Sequence, residues 1–232
     1  MSHTADELKH EAALRAVKYV RDGMVLGLGS GTTAEHAVKE IGRRVQEDGL
    51  RVRGVPTSDK IGTLAVESGI HLTSLEQDPQ IDLTIDGADE VDLKTLNAIK
   101  GLGGALLREK IVALASREEI LIVDESKVVR RLGEHTPVPV EVVQFGWSRT
   151  RDELQKLDCI ATRRESPTGA PFVTDSGNYL IDCKFPYVKN PQRLSDNIIR
   201  ITGVIEHGLF LNIARRIIIA SEAGVRVVER KT

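Results

Sequence analysis

Short apolar runs alternate with amphipathic stretches along the first half of the chain. Strands are predicted where aliphatic residues are continuous or alternate with polar ones, over residues 24–28, 52–55, 70–75, 81–86 and 120–123. Between these runs, apolar residues recur at helical spacing in segments that begin near Thr4, Ala34, Ser58 and Ala105. Strands that alternate with helices indicate a mostly parallel sheet with right-handed crossovers and helices on both faces.

Charged residues on two of these helices allow more than one interpretation. The first helix is predicted over residues 4–21, with Lys9 and Lys18 on its solvated face. The alternative is that a lysine near the N-terminus reaches a ligand phosphate. The helix predicted from about Ala105 buries a stripe formed by Leu107, Ile111 and Leu114. Glu109 lies off that stripe, where alanines four residues before and after it leave room for a ligand. The alternative is that Glu109 is a solvated helix residue.

The pattern changes near residue 131, where a loop with two prolines begins. The segments that follow are predicted as strands over 140–143, 172–174, 179–181 and 204–205 and as helices over 149–157 and 191–201. The two middle strands are expected to form a hairpin, and the order strand–helix–strand–strand–helix–strand is ferredoxin-like. Strands over 217–220 and 225–228 then return to the first sheet.

These elements predict an α/β fold in two domains. The larger domain has a Rossmann-like, mostly parallel sheet with helices on both faces and comprises residues 1–133 and 208–232. The smaller domain is an inserted α+β ferredoxin-like unit, residues 134–207, which is expected to act as a lid or an interface.

The composition argues against several classes of protein, among them nucleic-acid-binding and membrane proteins. Apolar residues make up 41% of the chain and charged residues 28%, as in ordinary globular proteins. A formal net charge of -2 gives no sign of a nucleic-acid-binding surface. The chain has no apolar run that could span a bilayer, and the segment MSHTADELKH lacks the apolar core of a signal peptide. We therefore expect a cytoplasmic protein with neither nucleic acid nor membrane as a partner.

No cofactor or metal is expected either. Cys159 and Cys183 lack metal-type spacing and are interpreted as two reduced core thiols. The six histidines form no pair at metal-ligand spacing, and neither HExxH nor an Asp-rich calcium loop occurs.

The segment Gly29-Ser30-Gly31-Thr32-Thr33 joins the first strand to the second helix. Glycines let backbone N–H groups approach an anion, and a helix N-terminus and hydroxyl donors add to the attraction, so the loop is typical of a phosphate cradle. A dinucleotide fingerprint from Gly27-x-Gly29 needs glycine at position 32, which is threonine, and the P-loop ending is absent. A small phosphorylated ligand fits better. The alternative is a tight turn in which threonine caps the helix.

Acidic and basic side chains follow two other strands. Asp86, Asp89 and Glu90 come at the end of the strand over 81–86, which is the sheet edge where ligands bind in open α/β folds. Lys100 follows among glycines, so the stretch outlines an acid–base site. Lys127 comes after the strand over 120–123 and is either a second cation of the site or a surface lysine.

Several motifs together resemble the type A ribose-5-phosphate isomerases. They are GLGSGTTA at 27–34, IDGADE at 85–90, KGLGGALLREK at 100–110, DESK at 124–127, PVPVEV at 137–142, DSGNYLID at 175–182 and GVIEHGLF at 203–210. The resemblance covers nearly the whole chain. One departure is Leu102, which interrupts the run of three glycines usual in that family.

The resemblance implies a cofactor-free enzyme of the pentose phosphate pathway that interconverts ribose 5-phosphate and ribulose 5-phosphate as a homodimer or homotetramer. It implies Glu109 as the general base, with Asp86, Asp89 and Lys100 also catalytic. The implied substrate-binding residues are Ser30, Gly31, Thr32, Thr33, Asp86, Gly87, Ala88, Asp89, Lys100, Gly101, Leu102, Gly103 and Lys127.

Elementary chemistry agrees with these roles. One carboxylate with access to C1 and C2 of the sugar can move the proton between them through an enediolate, whose negative oxygen Lys100 can stabilise. Either Asp86 or Asp89 can assist ring opening. Three alternatives are a sugar-phosphate sensor without chemistry, a structural subunit, and a related sugar-phosphate deaminase or lactonase. The deaminase and lactonase need a catalytic histidine, and neither His36 nor His71 lies in such a motif.

Overall fold

The computed structural model describes residues 3–230, so residues 1, 2, 231 and 232, at the ends of the predicted larger domain, lie outside the described residues. The helices are α1 (Ala5–Val17), α2 (Thr32–Glu47), α3 (Asp59–Glu67), α4 (Leu106–Leu114), α5 (Trp147–Gln155) and α6 (Pro191–Ile199). The first strands are β1 (Val25–Leu28), β2 (Arg53–Pro56), β3 (His71–Leu72), β4 (Leu83–Gly87), β5 (Glu90–Asp92), β6 (Asn97–Ile99) and β7 (Glu119–Asp124). The later strands are β8 (Val138–Val142), β9 (Ile160–Arg163), β10 (Tyr179–Lys184), β11 (Val204–His207), β12 (Leu209–Phe210), β13 (Arg216–Ser221) and β14 (Gly224–Glu229).

The main sheet has seven strands in the order β14-β13-β7-β4-β1-β2-β3. Its neighbouring strands are parallel except for the β13–β14 pair. This confirms the predicted mostly parallel sheet and the return of the last two strands to it. Because β1 lies between β2 and β4, the strand order reverses direction there, and a crevice forms beyond the carboxyl ends of β1 and β4.

Both faces of this sheet are covered. Ile120 and Ile122 of β7 belong to the apolar cluster that α1 and α2 cover, whereas Leu121 and Val123 belong to the cluster that includes Ala113 of α4. A strand buried on both faces reads as a continuous apolar run, which is why β7 was easy to predict.

Two elements are shorter than predicted. α1 begins with the predicted capping box at Thr4 but ends at Val17, because the following residues form tight turns that lead to Gly23 at φ 81°. β3 is confined to two residues because the chain turns at Ser74, whose carbonyl accepts a hydrogen bond from the N–H of Asp78.

A four-stranded antiparallel sheet in the order β11-β8-β10-β9 carries α5 and α6. Its chain order is the predicted ferredoxin-like one, but the predicted hairpin of residues 172–174 with 179–181 is reduced to one antiparallel bridge. β10 pairs with β9, and residues 172–174 contribute only an isolated bridge between Val173 and Tyr179. Prolines at 167 and 171 in the loop after β9 have no N–H to give to a sheet, so the chain cannot pair continuously there.

A three-stranded sheet in the order β12-β6-β5 was not predicted. Its strands have only two or three residues, and β6 pairs with a strand more than a hundred residues later in the chain. The sheet matters for the site because Lys100 directly follows β6, where its N–H donates to the carbonyl of Gly208 at 2.9 Å.

The predicted buried stripe of α4 is also wrong. Ile111 and Leu114 are 47% and 67% exposed, whereas Glu109 and Lys110 are buried. The inward face is fixed by polar partners beneath it: Glu109 pairs with Lys100, and Lys110 donates to Glu206 at 2.7 Å and to the carbonyl of His207 at 2.6 Å. Hydropathy alone selects the opposite face because it takes charged residues as solvated.

Gly27 lets α4 and β4 come close to β1. A Cβ atom at this position would lie 1.9 Å from Thr84 Oγ1 and 2.6 Å from Val112 Cγ1, far inside van der Waals contact. Glycine at Gly27 is therefore required by packing rather than by a ligand.

We expect Gly27→Ala to lower the free energy of unfolding by about 2 kcal/mol or more, because the added methyl group forces β1 away from its neighbours. Gly62→Ala is the matched control. Gly62 lies in α3, and a Cβ atom there would meet nothing closer than Pro56 Cγ at 3.5 Å. The gain in helix propensity should therefore stabilise the protein by up to about 1 kcal/mol. Urea unfolding of both variants tests the difference, and equal stability of Gly27→Ala and wild type would contradict this packing account.

Candidate active site

A cavity of about 130 Å³ lies at the carboxyl ends of β1 and β4. It is lined by Lys9, Ser30, Gly31, Thr32, Thr33, Gly87, Ala88, Asp89, Lys100, Gly101, Gly103, Glu109 and Lys127. The cavity therefore brings together most residues that the sequence singled out. The exceptions are Asp86, Leu102 and Glu90. Asp86 is fully buried behind the cavity-lining residues that it binds, and Leu102 contributes its N–H rather than its side chain.

The glycine–hydroxyl loop forms one wall. Gly31, at φ 93°, is the N-cap of α2 and offers no side chain to it, so the threonine cap of the alternative interpretation is not formed. The Ser30 hydroxyl is held by the hydroxyls of Thr57 at 2.7 Å and Ser58 at 2.8 Å. Lys9 Nζ donates to Thr32 Oγ1 at 3.0 Å. A helix N-terminus, hydroxyl groups and an ammonium group thus meet at one place, which suits an anion.

A buried charged cluster forms the floor. Lys100, only 2% exposed, lies with its Nζ 2.9 Å from Asp86 Oδ2 and 3.3 Å from Glu109 Oε2, and it donates to the carbonyl of Gly87 at 2.6 Å. Asp86 Oδ1 in turn accepts from the N–H groups of Ser30 at 3.0 Å and Gly87 at 2.7 Å. One ammonium group therefore serves two carboxyl groups, and only Glu109 of these two lines the cavity.

Burial controls the protonation of this cluster. Burial raises the pKa of Glu109 to about 8, although the charge of Lys100 opposes the rise and the nearby Asp86 adds to it. For Lys100, burial disfavours the ammonium ion, but the carboxyl groups of Asp86, Glu109 and Glu119 outweigh burial and hold its pKa above the usual range. Glu109 is therefore a buried carboxyl group with a raised pKa, and it lies beside a fixed positive charge.

Asp89 reaches the cavity from the other side of the β4 turn. Its Oδ2 accepts from the N–H of Leu102 at 2.9 Å, and burial raises its pKa. Since this contact uses backbone N–H, the leucine in the glycine run does not prevent it. Lys127, in the 3₁₀ turn Glu125–Lys127, also lines the cavity.

Two residues differ from the sequence interpretation. Lys9 was interpreted first as part of a solvated face, but it is half-buried and lines the cavity, as the alternative interpretation of an N-terminal lysine allows. Glu90 was grouped with the site carboxylates, but its carboxylate instead accepts three backbone N–H groups, those of Gly133, His135 and Thr136, each at 2.6 Å. Glu90 thus anchors a loop outside the cavity.

The positions of the histidines and of the candidate metal ligands also bear on the chemistry of the cavity. His36 pairs with Asp6 at 3.0 Å, His71 is exposed, and the cavity lining contains no histidine among residues 3–230. In the same part of the chain, no three His, Cys, Asp or Glu side chains are grouped so that they could hold a metal ion. None of the helices in the described residues combines the length and apolar character needed to cross a membrane.

The chain is similar to known proteins over nearly its full length. The family model of ribose 5-phosphate isomerase A (phosphoriboisomerase A) matches residues 53–224. Ribose-5-phosphate isomerase A of Gloeobacter violaceus is 50% identical over 96% of both chains, and that of Synechococcus sp. is 46% identical over 98% of this chain and 99% of the relative. A solved D-ribose-5-phosphate isomerase in complex with phospho-erythronic acid is 39% identical, with a TM-score of 0.95 over 98% of this chain and all of that one. The Plasmodium falciparum ribose 5-phosphate isomerase is 38% identical, with a TM-score of 0.94 and the same coverage.

We expect Lys100→Met to lower the free energy of unfolding by about 3–5 kcal/mol, because Asp86 and Glu109 lose their buried counter-charge. The penalty should be smaller at pH 5 than at pH 8. Without Lys100, the folded state favours the protonated form of these carboxyl groups. Protonating them costs free energy at pH 8 and much less at pH 5. Denaturant unfolding at the two pH values measures both effects.

Lys127→Met is the control, since Lys127 also lines the cavity but is partly exposed. Its unfolding free energy should stay within about 0.5 kcal/mol of wild type. If the two lysine variants were equally stable, the buried cluster would not be the constraint described here.

Proposed function

The chain belongs to the ribose 5-phosphate isomerase A family, and on that premise we propose how its cavity performs the reaction. The chain is an aldose–ketose isomerase for D-ribose 5-phosphate and D-ribulose 5-phosphate. The observation that carries the mechanism is the buried Asp86–Lys100–Glu109 cluster, in which one ammonium group lies within 3.3 Å of a cavity-lining carboxyl group.

The phosphate end of the substrate is proposed to bind at residues 30–33. The N-terminus of α2, the hydroxyl groups there and Lys9 Nζ supply positive potential and donors. The complex of the related isomerase with phospho-erythronic acid, a sugar acid phosphate, supports this class of ligand for this chain. Anchoring the phosphate converts binding energy into orientation of C1 and C2 at the opposite end of the cavity.

Ring opening comes next, because ribose 5-phosphate is mainly cyclic and the reaction needs its open-chain aldehyde. We assign this step to Asp89 rather than Asp86. Asp89 lines the cavity, and burial raises its pKa, so its carboxyl group can exchange a proton with the anomeric hydroxyl. Asp86 is fully buried and engaged by Lys100 and two backbone N–H groups, so it holds Lys100 in place.

Proton transfer is assigned to Glu109. Its carboxylate takes the proton from C2, the C2–H electron pair forms the C1–C2 double bond, and the aldehyde oxygen becomes the enediolate oxygen. Lys100 stabilises that negative charge through its fixed ammonium group. The hydroxyl proton then passes from O2 to O1, and Glu109 returns its proton to C1, which yields the ketose and restores the carboxylate. No metal or cofactor enters this scheme.

Three further features are proposed on the family resemblance. Residues 1–133 and 208–232 form the catalytic domain, and residues 134–207 form an inserted lid or interface domain. In support, the four-stranded sheet and helices α5 and α6 come from residues 138–207. The protein works in the cytoplasm as a homodimer or homotetramer. Light scattering of purified protein tests the oligomeric state.

The sensor, structural and deaminase or lactonase alternatives are not favoured, because both the relatives and the cavity chemistry point to the isomerase.

We expect Glu109→Gln to lower kcat about 10³-fold with little change in KM, because the amide fills the same space but cannot accept the proton. Stability should not fall. Burial raises the pKa of Glu109 to about 8, so the folded state favours the neutral group, and ionisation costs stability as pH rises from about 4.5 to 8. A neutral amide avoids that cost. Steady-state kinetics and melting temperatures across this pH range measure both effects.

Glu67→Gln serves as the control, because Glu67 is exposed at the end of α3 and should leave activity and stability unchanged. In wild type, kcat/KM should decrease as pH falls below about 8, where the base becomes protonated. Turnover of Glu109→Gln within tenfold of wild type would refute the assignment of the base.

We expect Lys9→Met to raise KM for ribose 5-phosphate about tenfold and to change kcat less than threefold. A charge-assisted hydrogen bond to phosphate contributes about 1.5–3 kcal/mol, and it holds the substrate and the transition state alike. Lys18→Met, which removes an exposed lysine just after the same helix, is the control. An unchanged KM for Lys9→Met would show that Lys9 does not contact the phosphate.

A further inference from the structure

The glycine loop at 101–104, which lines the cavity, is held from outside by the segment that follows β9 of the four-stranded sheet. Arg164, just after β9, donates from Nη1 to the carbonyls of Gly101 at 3.0 Å and Leu102 at 2.8 Å. Its guanidinium group is paired in turn with Asp182 of β10, with Nε 2.9 Å from Oδ2 and Nη2 bonded to Oδ1. Arg164 is 13% exposed in its side chain and does not belong to the cavity lining.

These two bonds fix the direction of two peptide groups. In a trans peptide the C=O and the following N–H point in opposite directions, so a carbonyl directed at Arg164 directs the next N–H away from it. The N–H after the Gly101 carbonyl is that of Leu102, and it donates to Asp89 at 2.9 Å. The N–H after the Leu102 carbonyl belongs to Gly103, which lines the cavity and whose N–H has no partner in the described part of the chain.

Within the loop, the Gly104 N–H also donates to the Gly101 carbonyl at 3.0 Å, whereas the Leu102 carbonyl has no partner other than Arg164 in the described part of the chain. Gly101 and Gly104 both have positive φ values, 103° and 89°, so the loop backbone has the wide conformational freedom of glycine. Phe172, also from the loop after β9, packs where a Cβ on Gly104 would lie, 2.5 Å from Phe172 Cζ. The guanidinium carbon of Arg164 lies 5.9 Å from the centre of the same ring. Arg164 and Phe172, both in the segment after β9, thus hold the two ends of the loop.

We propose that Arg164, held by Asp182, is a positioning residue that aims the Gly103 N–H into the cavity as a donor to the enediolate oxygen and keeps the Leu102 N–H on Asp89. This inference rests on the isomerase reaction proposed above. A guanidinium group suits the task because it can bind a carboxylate and a carbonyl pair at once in a fixed plane, which an ammonium group cannot. A mispositioned donor weakens transition-state binding more than ground-state binding.

Kinetics of three variants test this role. Arg164→Ala should lower kcat about tenfold or more with a smaller change in KM, and Arg164→Lys should fall between it and wild type. Guanidinium chloride at a low, non-denaturing concentration should restore part of the activity of Arg164→Ala, relative to equal sodium chloride. Arg163→Ala is the matched control, because Arg163 is the adjacent residue at the end of β9 but its guanidinium carbon lies 4.4 Å from the ring centre of Trp147. It should keep wild-type kcat and should not respond to guanidinium.

A binding measurement separates this inference from the reaction itself. Titration calorimetry with phospho-erythronic acid should show weaker binding to Arg164→Ala than to Arg163→Ala by about fivefold or more, while inorganic phosphate binds both equally. If wild type failed to turn over ribose 5-phosphate, the proposed reaction would be wrong, yet this binding difference would still test the positioning role of Arg164. Equal kcat and equal phospho-erythronic acid affinity of the two variants, or a loss in Arg164→Ala that guanidinium does not relieve, would overturn the proposal.

Discussion

The site depends on one buried ammonium group. Lys100 is almost completely removed from solvent, and a charge in that position is tolerated only when carboxylates and hydrogen-bond acceptors surround it. Asp86, Glu109 and the Gly87 carbonyl supply them, and the ring of Phe210 lies 5.3 Å from the Lys100 nitrogen. The need to surround the Lys100 ammonium group explains two local features, the glycine at position 29 and the inward face of α4. Gly29 lacks a side chain because a Cβ would lie 2.3 Å from the Asp86 carboxyl carbon, and α4 turns Glu109 inward while Ile111 and Leu114 face solvent.

The same arrangement explains the chemistry. Burial favours the neutral form of Glu109, and the neighbouring ammonium group prevents that preference from becoming so strong that the base is lost. Glu119, which is also buried and whose pKa burial raises to about 8, adds to the field around Lys100. An enediolate formed in this cavity meets a positive charge already in place, so little reorganisation accompanies its formation.

The sequence predicted the parts of the fold that local pattern determines. β1, β4 and β7 are apolar runs followed by loop residues, and the chemistry at their ends is visible in Ser30, Asp89 and Lys127. The rest depends on contacts distant in sequence. β5, β6 and β12 are too short to leave a pattern, and the main partner of β10 was misassigned because only Ala161 of the four residues of β9 is buried, so β9 shows no apolar pattern. The inward face of α4 was misjudged because buried partners for Glu109 and Lys110 lie on other elements. For Lys9 the sequence left two interpretations open, because its partner Thr32 lies on another helix.

The central claim is that Glu109 moves a proton between C2 and C1 through an enediolate stabilised by Lys100, without a metal ion. The most direct measurement is proton NMR of ribose 5-phosphate with EDTA-treated protein in deuterated water. We expect ribulose 5-phosphate to form and to carry deuterium at C1, because a proton held on a carboxyl group exchanges with solvent before its return. Folded protein that neither converts the sugar nor exchanges its C2 proton, or that converts it only when a metal ion is restored, would contradict the account.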